Sequence, residues 1–167
     1  YVKQRYVVCM LGGKTVMKKK DINFLEELLY NTEKDSAISR VRNIDDPLLL
    51  HVFAANYNWN SGFEVPKAIL ENENCDYGTG LLMFHYADGY RMLESPDDVS
   101  ASALEEWKDF LIQTYQKLIN LQFNSQNISF DPEITRVQRF KLKKNNPHIP
   151  DALLDKSPGV LIEVPKI

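Results

Sequence analysis

Apolar positions recur at helical spacing through the middle of the chain and cluster in short β-branched runs at its two ends. The stretch RYVVCMLGGKTVMKK, residues 5–19, places an apolar run, a Gly-Gly turn and a second β-favouring run in succession, which predicts a hairpin. In INFLEELLYN, Ile22, Leu25, Leu28 and Leu29 share one face of a helix that Asp21 can cap. A polar break, TEKDS, leads to a shorter segment over residues 37–42. Asp46 followed by Pro47 is a sharper start signal: the carboxylate accepts from the orphan amides, and proline suits the first helical position. The helix PLLLHVFAANY follows and ends among asparagines, and Pro66 reopens a helix through Ala68, Ile69 and Leu70.

Asp76 can cap the next helix, YGTGLLMFHYADGYRML, which is apolar around most of its circumference and therefore expected at the centre of the core. Ser102 and Glu105 have capping-box spacing, and Leu104, Trp107, Leu111, Tyr115 and Leu118 form the clearest amphipathic stripe. Beyond Gln122 the segments become short, polar and punctuated by asparagine and proline, until GVLIEVPKI, which has the composition of a terminal strand. The expected fold is α+β and predominantly helical. Packed central helices span about residues 21–122, with an N-terminal hairpin and a C-terminal strand at their margin, all in a single domain of residues 1–167.

Composition narrows the class without changing that picture. A length of 167 residues suits one domain, and 44% apolar with 26% charged residues is ordinary for a globular chain. The longest nearly apolar runs, GLLMF and DPLLLHVFAA, fall short of the roughly 20 residues that cross a bilayer, so no membrane span is expected. YVVCMLGG is expected to be a strand rather than a signal peptide. Cys9 and Cys75 belong to no CxxC pair and are expected as buried thiols in a reducing compartment. A net charge of -3 argues against a general nucleic-acid binder and suits a basic protein partner.

Candidate chemistry is sparse. His51, His85 and His148 fall in no metal-ligand spacing, and no phosphate loop, dinucleotide fingerprint or GxSxG elbow is present, so no cofactor or metal is expected. His85 and Asp88 lie one helical turn apart, where a carboxylate could orient an imidazole as a general base for a small hydrolase or nuclease. No nucleophile accompanies them, and a core histidine satisfied by its neighbour is the simpler expectation. The glycines of GTG, residues 78–80, sit inside a helical pattern, where they permit close packing. Arg136, Arg139, Lys141, Lys143 and Lys144 form a basic cluster with only Phe140 interleaved, as expected of a solvated charged face.

The most distinctive stretch is NYNWNSGFEVPKAIL, residues 56–70. Asn56 and Asn58 can cap the preceding helix, Gly62 can supply a positive φ, and Trp59 and Phe63 can pin the turn to the core. Asn58, Trp59, Gly62, Phe63, Pro66 and Ile69, with Cys75, Asp76 and Leu82, resemble a bacterial domain of unknown function. Its pattern is a leucine- and alanine-rich helix, an Asn-Trp-x-x-Gly-Phe-x-x-Pro-x-x-Ile turn, a Cys-Asp and a second apolar helix. The likeness covers residues 50–93, with a helical core over about residues 46–93, and carries no catalytic residues. It implies a bacterial, mostly helical, cytoplasmic module. Small proteins of this kind often serve as immunity proteins beside polymorphic or contact-dependent toxins, so the resemblance implies a non-enzymatic inhibitor of a cognate toxin domain such as a nuclease. Because nuclease toxins are basic, the acidic turns are the candidate docking surface: Glu71 and Glu73 after the asparagine stretch, and Glu94, Asp97 and Asp98 before the long helix.

Overall fold

The computed structural model describes residues 17–167 together with the backbone of two short strands, Met10–Leu11 (β1) and Lys14–Thr15 (β2). β1 and β2 pair antiparallel, Met10 opposite Thr15, so the expected hairpin is present at its centre. Residues 5–9 of the expected hairpin, Cys9 among them, and its residues 12, 13 and 16 lie outside the described residues. Helices follow at Lys19–Tyr30 (α1), Lys34–Arg42 (α2), Pro47–Asn56 (α3), Glu64–Glu71 (α4), Tyr77–Tyr86 (α5), Gly89–Glu94 (α6), Pro96–Ser100 (α7) and Glu105–Ile119 (α8). The chain closes with β3 (Ile128–Ser129), α9 (Arg136–Asn145) and β4 (Val160–Leu161). The fold is thus predominantly helical α+β. Among the described residues no helix is long and apolar enough to cross a membrane.

α5 is the central element, as its all-round apolar sequence predicts. Leu81, Leu82, Met83 and Phe84 are buried on successive faces, with α3 packed on one side and α8 on another. α1 packs on α3, and α2 on α4. One cluster of buried apolar side chains runs from Leu25 to Leu154, so the core draws on segments well beyond residues 46–93. Each fully buried leucine or phenylalanine in it contributes roughly 1.5–3 kcal/mol.

Two of the expected helix starts form as read. Asp46 accepts from the Leu48 amide at 2.9 Å with Pro47 in the first turn, and Asp76 accepts from the Gly78 amide at 2.9 Å. Others differ. α1 begins after Lys18, leaving Asp21 inside the first turn, where its charge favours the helix dipole without capping. α8 begins after Leu104, and Ser102 Oγ accepts from the Leu104 amide, so no capping box forms there. Of the expected stripe, Trp107, Leu111 and Leu118 are buried, Tyr115 is half-buried and Leu104 is exposed, while Phe110 and Thr114 are buried on the same side. The expected helix over residues 77–93 is two helices, because Asp88 adopts a left-handed conformation (φ 65°). Gly89 then passes so close to Phe84 that a Cβ would lie 2.5 Å from the ring.

α9 is an element the apolar pattern does not reveal. Thr135 and Gln138 form a reciprocal capping box at its start, but Leu142 is its one buried residue, so no apolar stripe announces it. Gly78 and Gly80 do permit close packing, but against the segment after α8 rather than a helix. A Cβ on Gly78 would fall 2.0 Å from the Ile128 carbonyl oxygen, and one on Gly80 2.4 Å from the Phe123 ring. That segment continues into β3, which pairs parallel with β4, Ile128 opposite Val160.

Candidate functional site

The asparagine-rich turn leaves α3 at Asn56, whose Nδ2 donates back to the Val52 carbonyl at 2.9 Å, one turn earlier in the same helix. Asn58 serves the other side of the turn. Its Oδ1 accepts from the Asn60 amide at 3.1 Å and opens a short 3-10 helix, Trp59–Ser61. Gly62 follows with φ 96°, a conformation that favours glycine, and Tyr57 donates its hydroxyl to the Gly62 carbonyl at 3.1 Å, closing the loop. Trp59 is the hub of an aromatic cluster. Its ring lies 5.7 Å from Tyr57, 6.0 Å from Phe110, 6.3 Å from Phe63 and 6.4 Å from Tyr86, the Tyr57 and Tyr86 pairs being near perpendicular. Pro66 is buried in the first turn of α4, where its missing amide hydrogen has no helical partner to lose. The Trp59 indole N–H is buried without an acceptor among the described residues.

Two concavities flank this turn. One, of about 330 Å³, opens between α1, α2 and α3. Leu28, Leu29, Ala37, Phe53 and Val65 line it together with Tyr30, Thr32, Lys34, Asn56, Tyr57, Asn58 and Ser61. The other, about 180 Å³, has Phe63 and Phe110 as its apolar part and Glu64, Lys67, Glu106, Asp109 and Gln113 around it. Gly62 lies where the acidic rim of the second closes over the turn, since a Cβ there would sit 3.4 Å from Glu64 Oε2 and 4.0 Å from Glu106 Oε2. Lys34 reaches across to Glu64 at 2.7 Å, and that hydrogen bond and charge raise its pKa. Burial, with Glu64 adding to it, pushes the Tyr57 hydroxyl up to about 12.

The candidate acid–base residues have partners within the fold. His85 Nε2 lies 2.9 Å from the Leu153 carbonyl oxygen, a geometry that requires the proton on Nε2, and its ring packs against Phe84 and Phe130. The expected partner, Asp88, instead terminates α5 in its left-handed conformation, so the His85–Asp88 pair does not form. Burial lowers the His85 pKa, with the Leu153 hydrogen bond opposing it. His51 and Thr79, both buried, meet at 3.0 Å, and burial lowers the His51 pKa to about 4 against a small raising effect of Asp76. Cys75 is a buried free thiol that desolvation pushes up to about 12. Among the described residues no cluster of histidine, cysteine or carboxylate side chains could hold a metal ion.

Asp76 is the most connected of these groups, and its reach was not legible in its capping position. Fully buried, it also accepts from Ser125 Oγ at 2.6 Å, the Asn127 amide at 2.7 Å and the Ile128 amide at 3.2 Å, fastening residues 125–128 to the start of α5.

The acidic candidates divide. Glu71 faces Arg42 at 3.5 Å and Lys67 at 3.9 Å, so its charge is met within the chain. Glu73 is exposed, and Asn124 holds its main-chain carbonyl. Glu94 ends α6, and Asp97 and Asp98 occupy the first turn of α7, all exposed. Residues 94–109 hold Glu94, Asp97, Asp98, Glu105, Glu106 and Asp109 against Lys108 as the one cation, and this run ends at the aromatic turn. In the basic cluster, Arg139 pairs with Asp151 at 2.6 Å and Asp155 at 2.5 Å, and Lys143 with Asp151 at 3.1 Å. Arg136, Lys141 and Lys144 are exposed. Glu64, Glu106 and Asp109 were absent from the sequence-level candidates because only the approach of α8 to the turn brings them together.

Residues 45–119 match the model of DUF4274, a domain of unknown function. The DUF4274 match begins just before α3 and ends with α8, so it takes in the whole Asn-Trp turn, the central helix and the acidic run. It reaches further than the resemblance over residues 50–93. No curated protein and no solved structure matches the chain.

Proposed function

We propose that this chain is a non-enzymatic immunity protein, acting in the bacterial cytoplasm by binding a basic toxin domain, such as a nuclease, and covering its substrate groove. The observation that carries this reading is the placement of Glu106 and Asp109, with the Lys34-paired Glu64 and with Lys67, around Phe63 and Phe110 beside the Asn-Trp turn. An aromatic floor with a carboxylate rim has the composition of a protein interface, in which apolar anchors supply affinity and charges steer encounter. The exposed Glu94, Asp97 and Asp98 extend the same negative field along the preceding helices. The engagement of His85 by the Leu153 carbonyl favours a structural role for that ring over general-base catalysis.

The test is a growth assay with the toxin domain encoded beside this chain. Co-production of the unmodified chain is expected to restore growth, and the double variant Glu106→Lys, Asp109→Lys is expected to fail at equal abundance and unchanged melting temperature. Growth restored equally by both would remove the acidic cleft from the account. No protection by the unmodified chain would remove the immunity reading itself.

A further inference from the structure

α9 turns an apolar and cationic face to solvent. At about 100° per residue, Arg136, Val137, Phe140, Lys141 and Lys144 fall within an arc of about 140°, and Leu142, the one buried residue of the helix, lies opposite the middle of that arc. Val137 is 64% exposed and Phe140 68%. The helix holds five cations and no carboxylate. Two of them, Arg139 and Lys143 on its flank, are neutralised by Asp151 and Asp155. Arg136, Lys141 and Lys144 are exposed and have no acidic partner among the described residues. Apolar residues scattered singly over a surface need no explanation, but here two of them sit one turn apart amid three unpaired cations.

We propose that this face of α9 docks on the surface of an anionic phospholipid bilayer, with Phe140 and Val137 entering the boundary between headgroups and acyl chains and Arg136, Lys141 and Lys144 meeting lipid phosphates. The angular order carries the choice. Phe140, Lys144 and Val137 occupy the middle of the arc, and Arg136 and Lys141 its two edges. Long cationic side chains flanking an apolar centre can extend to the headgroups while the centre sinks below them. A single nucleic-acid strand is instead held by a positive groove with successive aromatic platforms, and Phe140 is the one aromatic ring of α9. Neither concavity beside the Asn-Trp turn includes a residue of this helix. An acidic protein would need a fitted pocket for the projecting Phe140 ring, whereas a fluid interface accommodates it without one. The net charge of the chain is -3, so attraction depends on presenting this face, which fixes the orientation of docking. With ten residues, α9 is long enough to lie on a bilayer and too short to cross one. The inference is independent of the immunity reading, since it concerns a different element and its test needs no toxin.

The test uses the full chain and sedimentation with vesicles of phosphatidylcholine alone or of phosphatidylcholine with an equal share of phosphatidylglycerol. Binding is expected to the anionic vesicles, weakening as salt rises, and not to the neutral ones. The double variant Lys141→Gln, Lys144→Gln is expected to bind about 25-fold less tightly, at about fivefold per cation. Phe140→Ser is expected to lose about tenfold on the same vesicles. Both variants change exposed side chains, and an unchanged melting temperature checks that each is folded. Phe140→Trp reads insertion directly. Brominated acyl chains are expected to quench its emission more strongly than that of the unmodified chain, whose Trp59 and Trp107 pack in the core. Equal binding to both kinds of vesicle, no binding to the anionic ones, no loss with either folded variant, or equal quenching with and without Phe140→Trp would each overturn the proposal. So would release from the vesicles by a single-stranded oligonucleotide that binds more tightly through the same lysines, an outcome that would make the ligand a nucleic acid.

Discussion

Replacing Asp76 by alanine tests the physical account of the core most sharply. The carboxylate is fully buried and accepts from four donors, the Gly78, Asn127 and Ile128 amides and the Ser125 hydroxyl. Loss of the helix cap alone costs about 1 kcal/mol. The Ile128 amide is buried with its strand and would lose a partner without gaining water, at roughly 1–3 kcal/mol. Ser125 and Asn127 are more accessible and recover part of their hydration, so they add less. The sum is about 3–5 kcal/mol, a large fraction of the roughly 5–15 kcal/mol that holds a domain of this size. Urea denaturation followed by circular dichroism reads it directly. Asp76→Asn should fall between, because its amide nitrogen would face the Ser125 hydroxyl or a backbone N–H where an acceptor is needed. Ser125→Ala should cost about 1 kcal/mol and be strongly non-additive with Asp76→Ala, since both remove one bond. A loss below about 1 kcal/mol for Asp76→Ala, or full additivity, would refute the hub.

Other consequences follow from named residues. His51 has a pKa lowered to about 4 by burial, against 6.5 when unfolded, so below pH 6.5 the unfolded chain takes up a proton that the folded chain refuses. Stability should therefore fall as pH drops from about 6.5 to about 4, by roughly 3 kcal/mol, and His51→Gln should remove that part of the slope in denaturant titrations at several pH values. Trp59→Ala should cost about 2–4 kcal/mol through loss of four ring contacts, whereas Trp59→Phe, which removes the unpartnered N–H, should cost clearly less in the same assay. Charge reversal at Glu94, Asp97 and Asp98 should slow association with the toxin domain at low ionic strength and flatten its salt dependence at an unchanged melting temperature, whereas reversal at the paired Glu71 should do less.

Much of the helical layout was legible because periodicity and caps agree at Asp46-Pro47 and Asp76, and because an all-round apolar run such as GLLMF has only the core to occupy. What was not legible depends on tertiary contact. The continuous pattern over residues 77–93 gives no sign that Asp88 turns left-handed, a conformation aspartate tolerates and the Phe84–Gly89 approach accompanies. α9 shows only a capping box, because a helix with one buried residue needs no stripe. At the candidate site, the roles of Gly62, Trp59 and Phe63 could be read locally. The convergence of Glu64 with Glu106, and the seating of residues 164–167 on Asn56, join segments 42 and 111 positions apart and leave no local pattern.

The central claim is that the face built by the Asn-Trp turn and the start of α8 is where this chain meets a basic protein. Amide hydrogen exchange of the full chain, with and without the proposed toxin partner, tests that contact. Slowed exchange over residues 58–64 and 105–110 on complex formation is the predicted result. Slowed exchange confined to residues 136–144, or no change at saturating toxin domain, would contradict it.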